Sequence, residues 1–149
     1  MAPRTRRSLV TVAASVLAFT GLGLTVPAQA NAATCKTLDA SVMNSAGNWG
    51  GNVHGQFCIA ASSAYLDDRY NHYVQDYAAD GVAARAYVTA SGITNGPLAT
   101  DTTATPGGTP LDLWESTNPG VTSVRLWICL GTAFPGSSGA RCASDIMYG

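Results

Sequence analysis

Four cysteines, Cys35, Cys58, Cys129 and Cys142, set the strongest limit on what this chain can fold into. An even number of cysteines in a small exported chain reads as a disulfide framework. Three pairings are available. Cys35–Cys58 and Cys129–Cys142 are favoured because each closes a short local loop, and in the chain-entropy picture each such bridge contributes roughly 3 kcal/mol. The rival is a zinc site built from all four thiolates, which needs close pairs such as C-x2-C. The nearest two cysteines here are 13 positions apart, so no metal is expected.

Export is read from the first thirty residues. Arg4, Arg6 and Arg7 precede an uncharged run over 9–26, which ends in Pro27, Ala28, Gln29 and Ala30. Positive, then apolar, then small-x-small is the order of a secretory signal, with cleavage expected after Ala30 and Ala32 as the alternative. A transmembrane anchor is the competing reading. The run is near the lower length for crossing about 30 Å of hydrocarbon, and Gly21, Gly23 and three threonines dilute it. Arg6-Arg7 permits a twin-arginine signal, but two disulfides favour the general secretory route. The expected organisation is a signal peptide over 1–30 and a single secreted β domain over 31–149, with no lipoprotein anchor because no cysteine sits at the cleavage site.

Charge narrows the partners. Without the three signal arginines, five Lys and Arg stand against nine Asp and Glu, a formal net charge of about −4. A nucleic-acid or anionic-membrane binder needs the opposite balance.

Strand patterning dominates residues 53–148. Val82, Ala84, Ala86 and Val88 alternate with Ala83, Arg85, Tyr87 and Thr89. Val124, Leu126, Ile128 and Leu130 alternate with Arg125, Trp127 and Cys129, and Leu111 and Leu113 alternate with Asp112, Trp114 and Ser116. A period of two sends alternate side chains to opposite faces of a sheet. Weaker strands are expected over 53–60, 69–77 and 142–148. Turn signals separate them: a Gly-rich stretch at 48–52, Asp80-Gly81 as a hairpin, breaks at 92–97, 105–110 and 136–139, and Asn118-Pro119-Gly120 as a type II turn. The one helical candidate is 60–69, and 31–52 is expected to be loose until Cys35 is tied down. Short strands at this spacing predict an all-β fold, a small β-sandwich, Ig-like or jelly-roll-like, pinned by two disulfides.

Candidate binding residues follow from pairing 111–116 with 124–130 through the 118–121 turn. Parity then puts Leu111, Leu113, Leu126 and Ile128 on the core side, and Asp112, Trp114, Arg125 and Trp127 on the other. Arg125 would stack on Trp114 or pair with Asp112. Exposed, the two tryptophans would make a carbohydrate or apolar-ligand platform; covered, they would make a second small core.

Tyr65, Tyr70, Tyr73 and Tyr77 lie among Asp67, Asp68, Asp76 and Asp80. That mixture fits a solvated edge strand better than calcium, since the D-x-[DN]-x-[DN]-G pattern is missing. His54 and His72 are the only imidazoles and carry no H-E-x-x-H spacing, no G-x-S-x-G elbow is present, and Glu115 is the lone glutamate. No catalytic residue is therefore expected. The loop between Cys129 and Cys142, with Phe134-Pro135-Gly136, has the layout of a clamped inhibitor bait, whose preorganisation would lower the ordering cost of binding.

The signal ending Ala28-Gln29-Ala30, the run VQDYAADGVA beginning at Val74, and the strand Val124-Arg125-Leu126-Trp127-Ile128-Cys129 followed by Cys142 resemble the layout of small secreted β-sandwich proteins of Streptomyces and related actinobacteria. The resemblance implies export and a compact β fold, and supplies no catalytic residue. The function expected is a monomeric, non-catalytic extracellular binding or structural domain without a cofactor, its partner a protein or glycan. The alternatives are a secreted peptidase inhibitor presenting the Cys129–Cys142 loop, and a carbohydrate-binding module using exposed tryptophan. A hydrolase ranks behind these.

Overall fold

The computed structural model describes residues 32–149, so the signal-peptide reading of 1–30 lies outside the described residues. The described chain is all-β, with ten strands in two sheets packed face to face. The strands are β1 (Thr34–Met43), β2 (Trp49–Ile59), β3 (Ala64–Leu66), β4 (Tyr73–Asp76), β5 (Ala84–Ala90), β6 (Ile93–Asp101), β7 (Thr109–Pro110), β8 (Glu115–Ser116), β9 (Ser123–Leu130) and β10 (Cys142–Tyr148).

In the first sheet β2 is the hub. β1 pairs along its whole length, from Thr34↔Ile59 to Met43↔Trp49. The other side of β2 is divided: β4 takes Gly51 to His54 and β3 takes Phe57 to Ile59. β7 then extends β4, and β8 extends β3. The second sheet runs β10-β9-β5-β6, and every pairing in both sheets is antiparallel.

The period-two pattern explains the core. Leu38, Ala40 and Val42 of β1, Val53 and Phe57 of β2, and Val74 of β4 are buried against Ala84, Ala86 and Val88 of β5 and Val124, Leu126 and Ile128 of β9. Each fully buried large aliphatic or Phe side chain contributes roughly 1.5–3 kcal/mol relative to exposure. Gly51 lets the sheets approach: a Cβ there would lie 3.0 Å from Ile128 Cδ1 and 3.1 Å from the Ala84 Cβ.

Side chains close the sandwich where the edge strands β1 and β10 meet. Lys36 Nζ lies 3.1 Å from Asp145 Oδ1 and donates to the Ile146 carbonyl at 2.9 Å, while the Asp39 amide donates to Asp145 Oδ2 at 3.3 Å. Burial acts to raise the Asp145 pKa, but Lys36 and the amides of Ile146 and Asp39 outweigh it and hold the carboxyl below its ordinary value. At the Ile59 end of β2, Ala32, Thr34 and Gly149 lie together; Trp49 begins β2 at its other end.

Both expected disulfides form, Cys35–Cys58 and Cys129–Cys142. Each joins residues directly opposite in register, with Cα atoms 4.0 and 4.1 Å apart. They fix pairing within a sheet and do not join the two sheets.

With Cys35 bonded to Cys58, residues 34–43 form β1, where Leu38, Ala40 and Val42 carry a buried alternation of their own. Several expectations are corrected. The Gly-rich stretch 48–52 belongs mostly to β2. The helical candidate 60–69 instead holds β3, which pairs with β2. Asp80-Gly81 is no hairpin but part of the crossover from β4 in one sheet to β5 in the other. The 92–97 break shrinks to the two-residue turn Ser91-Gly92, where both residues have positive φ, 49° and 80°, as a type I′ hairpin requires. β6 continues through the cis Gly96-Pro97 bond, and its register with β5 shifts between Ala86 and Val88. Proline is tolerated there because β6 is a sheet edge.

Candidate ligand-binding face

The expected pairing of 111–116 with β9 does not occur, and this removes the Trp114–Trp127 platform. β9 is flanked by β5 and β10, and the 111–116 stretch supplies only β8, which joins the other sheet through β3. Parity changes within the stretch: Leu111 is buried and Asp112 exposed as expected, but Leu113, expected in the core, is 71% exposed, and Trp114 is buried against Phe57. Trp127 lies half-buried on the outer face of the second sheet, donating Nε1–H to Thr89 Oγ1 at 2.9 Å. Arg125 stacks on Trp127, 5.2 Å from the ring centroid, and donates to Ser144 Oγ. Asp112 is exposed, and only its amide is engaged, donating to the Leu98 carbonyl. These four residues do not converge.

The loop between Cys129 and Cys142 lies back on the second sheet. Tyr87 O–H donates to the Ala133 carbonyl at 3.2 Å, Phe134 meets Tyr87 edge-on at 5.3 Å, and Pro135 is buried. An inhibitor bait must protrude, so this packing counts against that reading. Asp67 is also committed structurally. Arg69 grips it through Nε at 2.8 Å and Nη2 at 2.6 Å, and these charge-assisted bonds hold its carboxyl below the usual value. Among the described residues no cluster of three His, Cys, Asp or Glu could hold a metal ion.

The residues that do converge lie on the outer face of the first sheet. Leu38, Ala40 and Val42 point into the core, so Asp39, Ser41 and Met43 point out. The register continues each across the sheet: Ser41↔Asn52↔Gln75, and Asp39↔His54↔Tyr73. Tyr77 extends the β4 ladder, its amide donating to the Gly50 carbonyl. Β4 is thus an interior strand between β2 and β7, not the edge expected of the tyrosine-rich segment.

Hydrogen bonds fix this face. Asp39 receives Asn52 Nδ2 on Oδ1 at 3.0 Å, and its Oδ2 lies 3.0 Å from His54 Nδ1. Asn52 Nδ2 also reaches Ser41 Oγ at 3.0 Å and the Ala40 carbonyl. His54 stacks on Tyr73, centroids 5.6 Å apart and planes 19° from parallel. Burial raises the Tyr73 phenol pKa, and nearby Tyr77 and Asp39 add to the rise. At the far end a shallow open cleft is lined by Ser41, Gly47, Asn48, Trp49 and Tyr77. Trp49 is 58% exposed and Tyr77 45%.

The sequence pattern missed this site because Trp49 sat in a stretch read as a turn. Two large rings left in water beside hydroxyl and amide groups can stack a flat, partly apolar ligand and hydrogen-bond its rim. His54 is within reach of a carboxylate, but on an open sheet face. Comparison with family models, with curated proteins and with solved structures finds no match, so the geometry carries the functional reading.

Proposed function

We propose that this chain is a secreted, non-catalytic binding domain whose outer β1–β2–β4 face takes a neutral saccharide. The carrying observation is the exposed pair Trp49 and Tyr77, set around a cleft with Ser41 and Asn48. Neither ring belongs to the hydrophobic core. Exposed aromatic patches of this kind mark interaction surfaces, and the C–H face of a pyranose ring complements an aromatic plane.

Charge favours a neutral ligand. Among the described outward residues of β1, β2 and β4 in these two rows, Asp39, Ser41, Asn52, His54, Tyr73 and Gln75 include a carboxylate and no Lys or Arg. A polyanion would meet no fixed counter-charge. Two disulfides support an oxidising, extracellular setting. Among the described residues no helix is long and apolar enough to cross a membrane.

The test is a glycan array probed with the secreted protein. Neutral saccharides should be retained and sulfated or uronic-acid chains should not. Trp49→Ala and Tyr77→Ala should each lower binding at least tenfold with an unchanged far-ultraviolet circular dichroism spectrum. Retention of no neutral glycan, or full binding by Trp49→Ala, would overturn the proposal.

A further inference from the structure

We infer that the ligand is an extended, flat chain of several sugar units lying along β4 and β2, not a single terminal sugar; this rests on the saccharide reading above. Two aromatic stations lie on one line with a polar row between them. Tyr73 and Tyr77 point to the same side of one ladder, four residues apart. At about 3.3 Å per residue this separates them by roughly 13 Å. One pyranose ring cannot touch both.

The intervening row offers Ser41 and Gln75, a hydroxyl and an amide, while Asn52 between them is buried with its Nδ2 spent on Asp39, Ser41 and the Ala40 carbonyl. Ser41 and Gln75 both donate and accept, as sugar hydroxyls do. The second station is held by its neighbours: His54 stacks on Tyr73, and Asp39 holds His54. Side chains already held by neighbours lose little freedom when a ligand arrives. A pleated surface with both stations on one side suits a ribbon-like, β-linked chain; a chain that coils would leave the sheet before reaching the second ring.

The experiment is calorimetric titration of the secreted protein with neutral β-1,4-linked gluco- and N-acetylglucosamine oligosaccharides, from monosaccharide to hexasaccharide. Affinity should rise at least tenfold from disaccharide to tetrasaccharide, about 1.4 kcal/mol. Tyr73→Ala and Gln75→Ala should each remove most of that rise. Gln75 is on the sheet surface, so its variant remains informative if Tyr73→Ala folds poorly. Length-independent affinity that still needs Trp49 would overturn the extended-chain inference and leave the saccharide reading standing. Failure of every oligosaccharide and every arrayed glycan to bind would overturn both.

Discussion

Phe57 and Trp114 meet inside the sandwich with ring centroids 5.9 Å apart and planes inclined by 57°. The contact carries the short β8 arm onto the core, and the Leu66 amide donates to the Trp114 carbonyl at 2.9 Å to fix it there. Trp114 is thus a structural wedge, and its neighbour Leu113 is turned to solvent.

Trp114→Ala should therefore lower stability by about 3–5 kcal/mol, the range for removing a buried aromatic. Trp127→Ala, on the outer face, should cost less than half as much. Urea unfolding reads both, as a shift in midpoint at unchanged slope.

Each disulfide should contribute separately. Replacing Cys129 and Cys142 together by Ser, or Cys35 and Cys58 together, should each cost about 3 kcal/mol, with a slightly larger loss for the longer Cys35–Cys58 loop. The bridges lie in different sheets, so the losses should add. Peptide mapping of the unreduced protein checks the pairing itself.

Acid should act on two groups of carboxylates in opposite directions. Asp67 and Asp145 have folded pKa values below the ordinary 3.8, so their contribution is present above that value and is lost as pH falls through the lower folded values. For Asp76, burial raises the pKa, with Asp80 and Asp101 adding to the rise against the Ala78 amide. Its charged form therefore destabilises the fold once pH rises through its raised folded value. Asp76→Asn should be more stable than the parent at pH 7, and that advantage should vanish as pH falls below about 4, the ordinary carboxylate range. Thermal unfolding across pH measures both effects; an Asp76→Asn protein less stable than the parent at neutral pH would refute the second.

The Ser91-Gly92 turn should be improvable. Ser91 holds a φ of 49°, which asparagine tolerates better. Ser91→Asn should raise stability by about 0.5–1 kcal/mol, while Gly92→Ala, at φ 80°, should lower it by about 1 kcal/mol or more. Thermal midpoints of the two variants should move in opposite directions.

Much of the framework was legible in the residues. Local alternation located β5 and β9, a weaker strand signal located β10, and short loop closure paired the cysteines. Strand partnership was not legible, because a period of two specifies faces without specifying a neighbour. Asn118-Pro119-Gly120 does turn, with Gly120 at φ 91°, but it leads from one sheet to the other where a hairpin was expected. The reversal of Leu113 and Trp114 follows from that: once 111–116 joins β3, the wide indole fills the space beside Phe57. The candidate binding face was hidden for a similar reason. Trp49 and Tyr77 are 28 positions apart and become neighbours only because β4 pairs with β2. Trp49 amid glycines was the one available hint.

Ala32 and Gly149 sit at one end of the sandwich, and Trp49 opens β2 at the opposite end. Joined through either end to a larger body, a bead or a neighbouring domain, this unit would hold its aromatic cleft at the tip farthest from the attachment. A fusion at residue 149 or ahead of residue 32 should leave the proposed recognition surface unobstructed, and tandem copies would display their clefts at a distance from the joints.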